Sequence, residues 1–64
     1  MKIKYDKEVD IMYIQFSEKK IKESDEDKKG IIIDYDEDDS IVSIEILNAS
    51  KKMEYPNSVN YEFA

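Results

Sequence analysis

The residues of this chain that could do chemistry are its carboxylates, and their densest stretch has the spacing of a calcium-binding loop. Between Asp34 and Glu45, oxygen-bearing side chains recur at the intervals that an EF-hand uses for its ligands. The glycine that the sharp bend of such a loop needs is replaced by Asp39, and both flanking segments alternate like strands rather than helices. We therefore interpret the stretch as a solvated hairpin turn, in which Asp34, Asp36 and Asp38 are candidates for weak cation binding only.

Catalytic chemistry of other kinds has few residues to work with. The chain contains no histidine, cysteine or arginine, which excludes nucleophilic triads built on histidine and phosphates clamped by arginine. Its sixteen acidic residues offer many pairs, but acid–base catalysis needs a carboxylate in an apolar pocket. A chain of 64 residues has little length for such a pocket. We expect no enzymatic activity and no cofactor.

The net charge of −6 is concentrated in one segment. Residues 31–47 hold six acidic residues and no basic one, which accounts for the whole excess. The six are Asp34, Asp36, Glu37, Asp38, Asp39 and Glu45. Such a segment repels the phosphate backbone of nucleic acids and attracts cations and basic proteins. The expected partner is therefore a basic protein or a second copy of the chain, with no direct contact to nucleic acid.

Length and composition indicate one small cytoplasmic domain that needs additional stabilisation. A chain of this length buries only about 60% of the surface that its unfolded form exposes, and without cysteine or histidine it has no disulfide or zinc ion to add stability. Association with itself or with a partner is the remaining route. The absence of cysteine fits a reducing cytoplasm. No apolar run approaches the length of a signal-peptide core or a membrane span, so we expect no membrane contact.

Period-two alternation of apolar and polar residues predicts strands along most of the chain. The predicted strands are Lys2–Tyr5, Ile11–Phe16, a charged edge strand around Lys20–Glu23, Ile31–Tyr35 and Ser40–Leu47. A short helix is predicted over residues 48–54, where the alternation stops and Asn48 or Ser50 can act as the cap. The expected fold class is all-β, or α+β with one short helix. It is an antiparallel β-meander of about five strands, with the helix covering one face.

The same alternation assigns residues to two sheet faces. The residues expected at the centre of the first face are Ile14, Ile33 and Ile44. The second face carries a smaller apolar set that we predict as an alternative interface: Ile11, Tyr13, Ile32, Ile41 and Leu47. A hairpin turn centred on residues 37–38 places Glu45 opposite Gly30, far from the turn carboxylates.

Residues 55–64 follow the predicted domain of residues 1–54 as a tail. Pro56 disfavours helix at its predecessor, and Val59, Tyr61 and Phe63 then alternate as in a strand. The tail is either a sixth strand or a segment that becomes a strand on the sheet edge of a partner. Because aromatic anchors are enriched at interfaces, Tyr55, Tyr61 and Phe63 are predicted to contact a partner, and the alternative is that they fold back onto the domain.

Several segments together resemble a known family. They are Met1–Asp6, Asp10 with Tyr13–Ile14, Gly30–Asp38, and residues 41–50 with the sequence IVSIEILNAS. Over roughly residues 1–53 the chain is similar to a small prokaryotic family of domains of unknown function, DUF2283. The acidic turn of that family commonly ends in glycine, where this chain has Asp39. The resemblance implies no established activity. Members are often encoded beside small basic proteins that resemble RelE-type ribonucleases, which implies an antitoxin-like role.

Two hypotheses of function from different classes remain open. The first is a protein-binding module of antitoxin type, which neutralises a basic partner through the acidic turn and the tail. Its predicted contact residues are Asp36, Glu37, Asp38, Asp39, Tyr55, Tyr61 and Phe63. The alternative is a structural homo-oligomer without catalytic activity, which associates through the second face. A minor alternative is a weak cation binder at the acidic turn.

Overall fold

Five strands and one helical turn make up the computed structural model, which describes all of residues 1–64. The elements are β1 (Lys2–Asp6), β2 (Ile11–Gln15), β3 (Glu23–Lys28), β4 (Ile31–Tyr35), β5 (Ile41–Leu47) and α1 (Ala49–Lys52). All strand pairs are antiparallel. The predicted fold class, an antiparallel sheet of about five strands with one short helix, is confirmed.

The strands lie in the order β1-β2-β5-β4-β3, which puts β5 at the centre of the sheet. β3, β4 and β5 form a meander, and the β1–β2 hairpin joins this meander where β2 pairs with β5. The connection from β2 to β3, residues 16–22, crosses the end of the sheet where β4 turns into β5. It is fixed there by hydrogen bonds from Phe16 N–H to Val42 O (2.8 Å) and from Lys22 N–H to Tyr35 O (2.7 Å).

The apolar core is a thin row of side chains across the sheet. Ile14 pairs with Ile44, and Ile44 pairs with Ile33, so the three residues predicted at the centre lie side by side on one face. Their side chains are half-buried. The buried apolar residues are Met12, Val42 and Ala49. The expectation that the helix covers a face is wrong, because α1 is a single turn at one end of the sheet.

The charged edge strand lies later in the chain than predicted. We expected it around Lys20–Glu23 because Ile21 is the only apolar residue in that region, but β3 spans Glu23–Lys28 and is exposed along its whole length. Its residues are all polar, so backbone pairing with β4, and not burial of side chains, defines the strand. Charged residues on such an open edge discourage pairing between molecules.

The β4–β5 hairpin has a register that differs from the expected one. Glu45 lies opposite Ile32 and not opposite Gly30. The prediction centred the turn on residues 37–38, whereas the observed turn spans residues 36–40 and is centred on Asp38, and a bulge beside the turn shifts the ladder further. The partner of Glu45 therefore moves by two residues, and an even shift leaves Glu45 on the predicted face of the sheet.

A β-bulge next to the turn also changes the face on which Ile41 lies. Asp34 pairs with Ser43, but the next residue, Tyr35, pairs with Ile41. Consecutive residues of a strand face opposite sides, so Ile41 shares a face with Tyr35 and not with Asp34. Ile41 is therefore displaced from the predicted second-face set, because the bulge interrupts the alternation on which that prediction rested.

Helix α1 is attached to the β1–β2 loop through Asp10. The Asp10 carboxylate accepts hydrogen bonds from Tyr5 Oη (2.8 Å), from Ser50 N–H (2.9 Å) and from Ser50 Oγ (2.7 Å). Asn48 makes no capping bond with its side chain, so Asp10 supplies the acceptor from outside the helix. The hydrogen bond from Ser50, followed by that from Tyr5, lowers the pKa of Asp10, and the same Asp10 contact raises the pKa of Tyr5. With four residues, α1 is too short to span a membrane, and the chain has no other helix.

Candidate functional site

The acidic turn between β4 and β5 is built around the side chain of Asp36. Its Oδ1 accepts hydrogen bonds from the backbone N–H groups of Asp38 (2.8 Å) and Ser40 (3.0 Å). Asp36 N–H in turn donates to Ser40 O (2.9 Å). Aspartate is suited to this role because its short side chain reaches the backbone amides that follow it. The turn holds Asp36 in place and buries it, with only 3% of the residue exposed.

The second carboxylate oxygen of Asp36 has no hydrogen-bond donor. Oδ2 is buried and makes no hydrogen bond. Lys19 Nζ lies 3.9 Å from it, which is beyond hydrogen-bonding distance. The Lys19 side chain is 66% exposed and that of Asp36 is 4% exposed, so only the ammonium group of this pair lies in solvent. A buried anionic oxygen without a donor is unfavourable. A hydrogen-bond donor or a cation that reached Oδ2 would therefore stabilise the Asp36 carboxylate.

The backbone of the turn keeps Asp36 ionised. The Ser40 N–H, together with the Asp38 N–H and the charge of Lys19, lowers the pKa of the Asp36 carboxyl below its ordinary value of 3.8, although burial acts in the opposite direction. Asp36 is therefore an anion at neutral pH, and its negative charge occupies a fixed position.

Asp36 lines a cleft of about 540 Å³ beside the turn. The cleft residues are Lys19, Lys20, Ile21, Lys22, Asp36, Glu37 and Asp38. The lysines belong to the β2–β3 connection, which the Lys22–Tyr35 hydrogen bond holds against the end of the sheet. Glu37 and Asp38 are exposed. A group that entered the cleft would therefore meet one buried carboxylate, two exposed carboxylates and three movable ammonium groups.

The three candidate cation ligands, Asp34, Asp36 and Asp38, make separate contacts and are not brought together. Asp34 is 3% exposed, and its two carboxylate oxygens accept hydrogen bonds from Ser24 Oγ and Ser43 Oγ, each at 2.5 Å. These serines are its direct neighbours in β3 and β5. Asp36 Oδ1 is occupied by the turn, and Asp38 is exposed. No group of three or more acidic side chains is arranged to hold a metal ion.

The last acidic residue of the turn adopts a backbone conformation that favours glycine. Asp39 has a φ of 61°, in the left-handed region, and its N–H donates to Asp36 O (3.1 Å). Residues with a Cβ atom rarely adopt this conformation, although aspartate does so more often than most. The side chain of Asp39 is exposed and does not line the cleft.

Two of the residues predicted for the second-face interface line a different cleft. Ile11 and Tyr13 line this cleft of about 360 Å³; the other lining residues are Lys2, Lys4, Asp6, Val9 and Glu45. Leu47 pairs with Ile11, and Ile32 pairs with Glu45, so both lie on the same face. Ile41 is absent from this face for the reason given above.

The tail aromatics are not brought to the acidic turn. Tyr55, Tyr61 and Phe63 are 66%, 71% and 89% exposed, and none of them lines the cleft at Asp36. The tail contains no strand. The acidic turn and the tail are thus separate surfaces in the free chain, and the contact of Tyr55, Tyr61 and Phe63 with a partner stays a prediction.

Comparison with known proteins adds a family assignment. The family model described as "Protein of unknown function (DUF2283)" matches residues 2–50 of the 64-residue chain. The chain belongs to the DUF2283 family. The DUF2283 match includes all five strands and the acidic turn, and it ends before the tail. No curated protein and no solved structure matches the chain significantly.

Sequence reasoning found the acidic turn but missed the groups that surround it. From the sequence, the region that contains Lys19, Lys20 and Lys22 is interpreted as exposed charge. Only the path of the β2–β3 connection brings these lysines to the turn. The buried pair of Asp34 and Ser43 was also missed. Alternation places both residues on the second face, and nothing in the sequence indicated that this part of the second face is buried.

Proposed function

We propose that this DUF2283 protein is a non-catalytic binding module that engages a basic protein through the cleft at Asp36. The observation that carries the proposal is the buried Asp36 Oδ2, which has no hydrogen-bond donor in the free chain. A cationic side chain of a partner that reached this atom would form a charge-assisted hydrogen bond. It would also remove the cost of leaving an anionic oxygen buried and unsatisfied.

An arginine side chain suits this cleft better than a lysine side chain. Asp36 Oδ1 is already occupied by two backbone N–H groups, so a guest binds through Oδ2 alone. A guanidinium group carries five N–H donors in a fixed fork. While one donor reaches Oδ2, others can meet the carboxylates of Glu37 and Asp38, which line the same cleft. The chain's own ammonium group at Lys19 does not close on Oδ2.

The lysine side of the cleft does not prevent a cationic guest from binding. Lys19 is 66% exposed, and its Nζ lies 3.9 Å from Oδ2, beyond hydrogen-bonding distance, so it contacts the buried carboxylate only loosely. Its long side chain can therefore move into solvent when a guest enters. The charge of residues 31–47 attracts a basic partner over distance, which raises the association rate at low salt.

We propose that this binding serves an antitoxin-like role, which is the role that the family resemblance implies. A small basic toxin has the charge that the acidic turn selects. Neutralisation by occlusion needs no catalytic group on the binding module. The proposal rests on the acidic turn alone and does not require the tail.

The test uses the full chain and a hexa-arginine peptide as the probe. The 15N-labelled protein is titrated with the peptide, and the amide signals of Asp38 and Ser40, which donate to Asp36, are expected to shift. In the Asp36→Asn variant, the side-chain carbonyl keeps both turn hydrogen bonds, while an NH2 group replaces the acceptor Oδ2. The affinity for the peptide should fall by at least about tenfold, the equivalent of one hydrogen bond to a charged group.

The matched control is Asp25→Asn, which makes the same charge change on the exposed strand β3. This variant should bind the peptide with nearly the affinity of the wild type. If both variants weaken binding equally, the peptide recognises overall charge and the proposed site is wrong. If the amide shifts map to another part of the sheet, the site is also wrong.

A second candidate function is a structural homo-oligomer. It is favoured by the half-buried residues Ile11, Tyr13, Ile32 and Leu47, which share one face of a sheet that no second layer covers. Sedimentation equilibrium should then show a mass that rises with concentration, and Tyr13→Lys should abolish the rise. A self-association that Tyr13→Lys leaves unchanged would contradict this candidate.

A further inference from the structure

The tail and the open sheet edges have complementary features. The sheet ends in β1 on one side and β3 on the other. In the tail, Val59, Tyr61 and Phe63 alternate with polar residues and are 58%, 71% and 89% exposed. The backbone of the tail makes only one backbone hydrogen bond, from Ser58 N–H to Tyr55 O. We propose that the tail of one copy binds the β1 edge of a second copy as a sixth, antiparallel strand.

Charge and regularity favour β1 over β3 as the receiving edge. β3 carries four acidic residues against Lys28, and its pairing with β4 is interrupted by a register shift. The acidic Glu62 of the tail would be repelled there. β1 carries Lys2 and Lys4 against Asp6, and it pairs with β2 without interruption over all five residues. An exposed strand edge of this kind is the surface that peptides use when they add to a sheet.

One antiparallel register matches the residue types on both faces. It places Tyr61 opposite Ile3, so that Val59 meets Tyr5 and Phe63 meets Met1 on the apolar face. Ile3 is 42% and Met1 is 74% exposed in the free chain, so this pairing would bury apolar surface on both strands. Such surface contributes about 25 cal/mol per Å² when it is removed from water.

The same register sets opposite charges against each other on the other face. Glu62 lies opposite Lys2, and Asn60 lies opposite Lys4. Oppositely charged residues that are direct cross-strand neighbours stabilise a sheet, and like charges in that position destabilise it. In this register the tail and β1 are thus complementary on both faces, in their polar side chains and in their apolar side chains.

The position of helix α1 indicates that the receiving strand belongs to another copy. The helix begins beside the β1–β2 loop, where Ala49 N–H donates to Asp10 O (3.0 Å). It ends beside the β3–β4 turn, where Lys52 Nζ donates to Gly30 O (3.3 Å). The helix therefore directs the tail away from the β1 edge of its own sheet. Two copies that exchange tails reciprocally would form a closed pair with two-fold symmetry.

Disulfide trapping tests the register, because the chain contains no cysteine of its own. Lys2→Cys and Glu62→Cys are made in separate full chains, which are mixed in a glutathione redox buffer at equilibrium. Directly opposed residues in an antiparallel pair have Cα atoms about 4.5–5.5 Å apart, which is within the range that a disulfide spans. The mixed disulfide should exceed that of the matched control, Glu23→Cys on the β3 edge mixed with Glu62→Cys, by at least about tenfold.

Two further results bear on the proposal. Sedimentation equilibrium of the wild type should show dimer, and Tyr61→Ser combined with Phe63→Ser should remove it, while Ser58→Ala should not. Equal trapping on both edges, or a mass that stays monomeric at every concentration, would overturn the proposal. The peptide titration at Asp36 involves neither the tail nor β1, so either proposal can fail without the other.

Discussion

The buried hydrogen bond between Ser43 and Asp34 predicts a large loss of stability from the removal of one hydroxyl group. Ser43 is fully buried, and its Oγ donates to Asp34 Oδ2 at 2.5 Å. Ser24 Oγ makes the equivalent bond to Oδ1, also at 2.5 Å, but Ser24 is exposed. Ser43→Ala leaves a buried carboxylate oxygen without a donor, whereas in Ser24→Ala water can replace the lost hydroxyl.

The magnitude follows from the energy of a hydrogen bond to a charged group. That energy is about 1.5–3 kcal/mol, and the cost of a buried unsatisfied acceptor is similar. We expect Ser43→Ala to lower the free energy of unfolding by about 2 kcal/mol, which shifts the Tm of a small domain by roughly 8–16 °C. A domain of this length has a total stability of about 3–10 kcal/mol. We expect Ser24→Ala to cost less than about 1 kcal/mol.

The assay is urea and thermal unfolding followed by circular dichroism at a fixed protein concentration. Ser58→Ala, in the exposed tail, is the matched control and should stay within about 0.5 kcal/mol of the wild type. The cycle of Asp34→Ala, Ser43→Ala and the double variant should give a coupling energy of about 0.5–3 kcal/mol. If Ser43→Ala costs no more than Ser24→Ala, burial does not determine how much each hydrogen bond to Asp34 stabilises the fold.

Four other predictions follow from single residues. Ile33→Ala should lower the free energy of unfolding in urea by about 2 kcal/mol, at the lower end for a core isoleucine because Ile33 is half-buried. An unchanged urea midpoint would contradict the central place of Ile33 in the core. Because the pKa of Asp10 is lowered in the folded state, its contribution to stability is present above its ordinary value of 3.8 and is lost as the pH falls through the folded value. Urea midpoints measured from about pH 7 down to about pH 2 should therefore fall less steeply in Asp10→Asn than in the wild type, and equal slopes would count against this assignment. Asp39→Gly should raise the stability by about 1 kcal/mol, because glycine adopts a φ of 61° without a Cβ penalty; a lower Tm would contradict this. Calorimetry should give a calcium dissociation constant of about 1 mM or weaker, since the turn amides occupy Asp36 Oδ1; micromolar binding that Asp36→Ala abolishes would reveal a true metal site.

The alternation of residues predicted most of the fold because burial on one side of a sheet leaves a period of two in the sequence. β4 was predicted with its observed bounds, Ile31–Tyr35. β3 was misplaced because all its residues are polar, so neither face leaves a pattern. The bulge that moves Ile41 to the other face could not be read from the sequence either, since a bulge breaks the period on which such assignments depend.

The candidate site was predictable in its location and not in its chemistry. The acidic turn follows from a count of charges along the chain. The fact that one oxygen of Asp36 is satisfied and the other is not depends on which backbone amides the turn brings within reach. The lysines of the cleft come from a connection distant in sequence. Such arrangements depend on the path of the chain in space, for which periodicity carries no signal.

The most direct test of the central claim is a quantitative comparison of the proteins that three forms of the full chain capture from the source cell. The forms are wild type, Asp36→Asn and the charge-matched control Asp25→Asn. We expect the wild type and Asp25→Asn to retain the same small basic protein, and Asp36→Asn to lose at least about nine-tenths of it, in line with a tenfold lower affinity. Retention of that protein by Asp36→Asn at the level of the wild type would show that binding does not depend on Asp36, and a captured partner with a net negative charge would contradict the proposed basic partner.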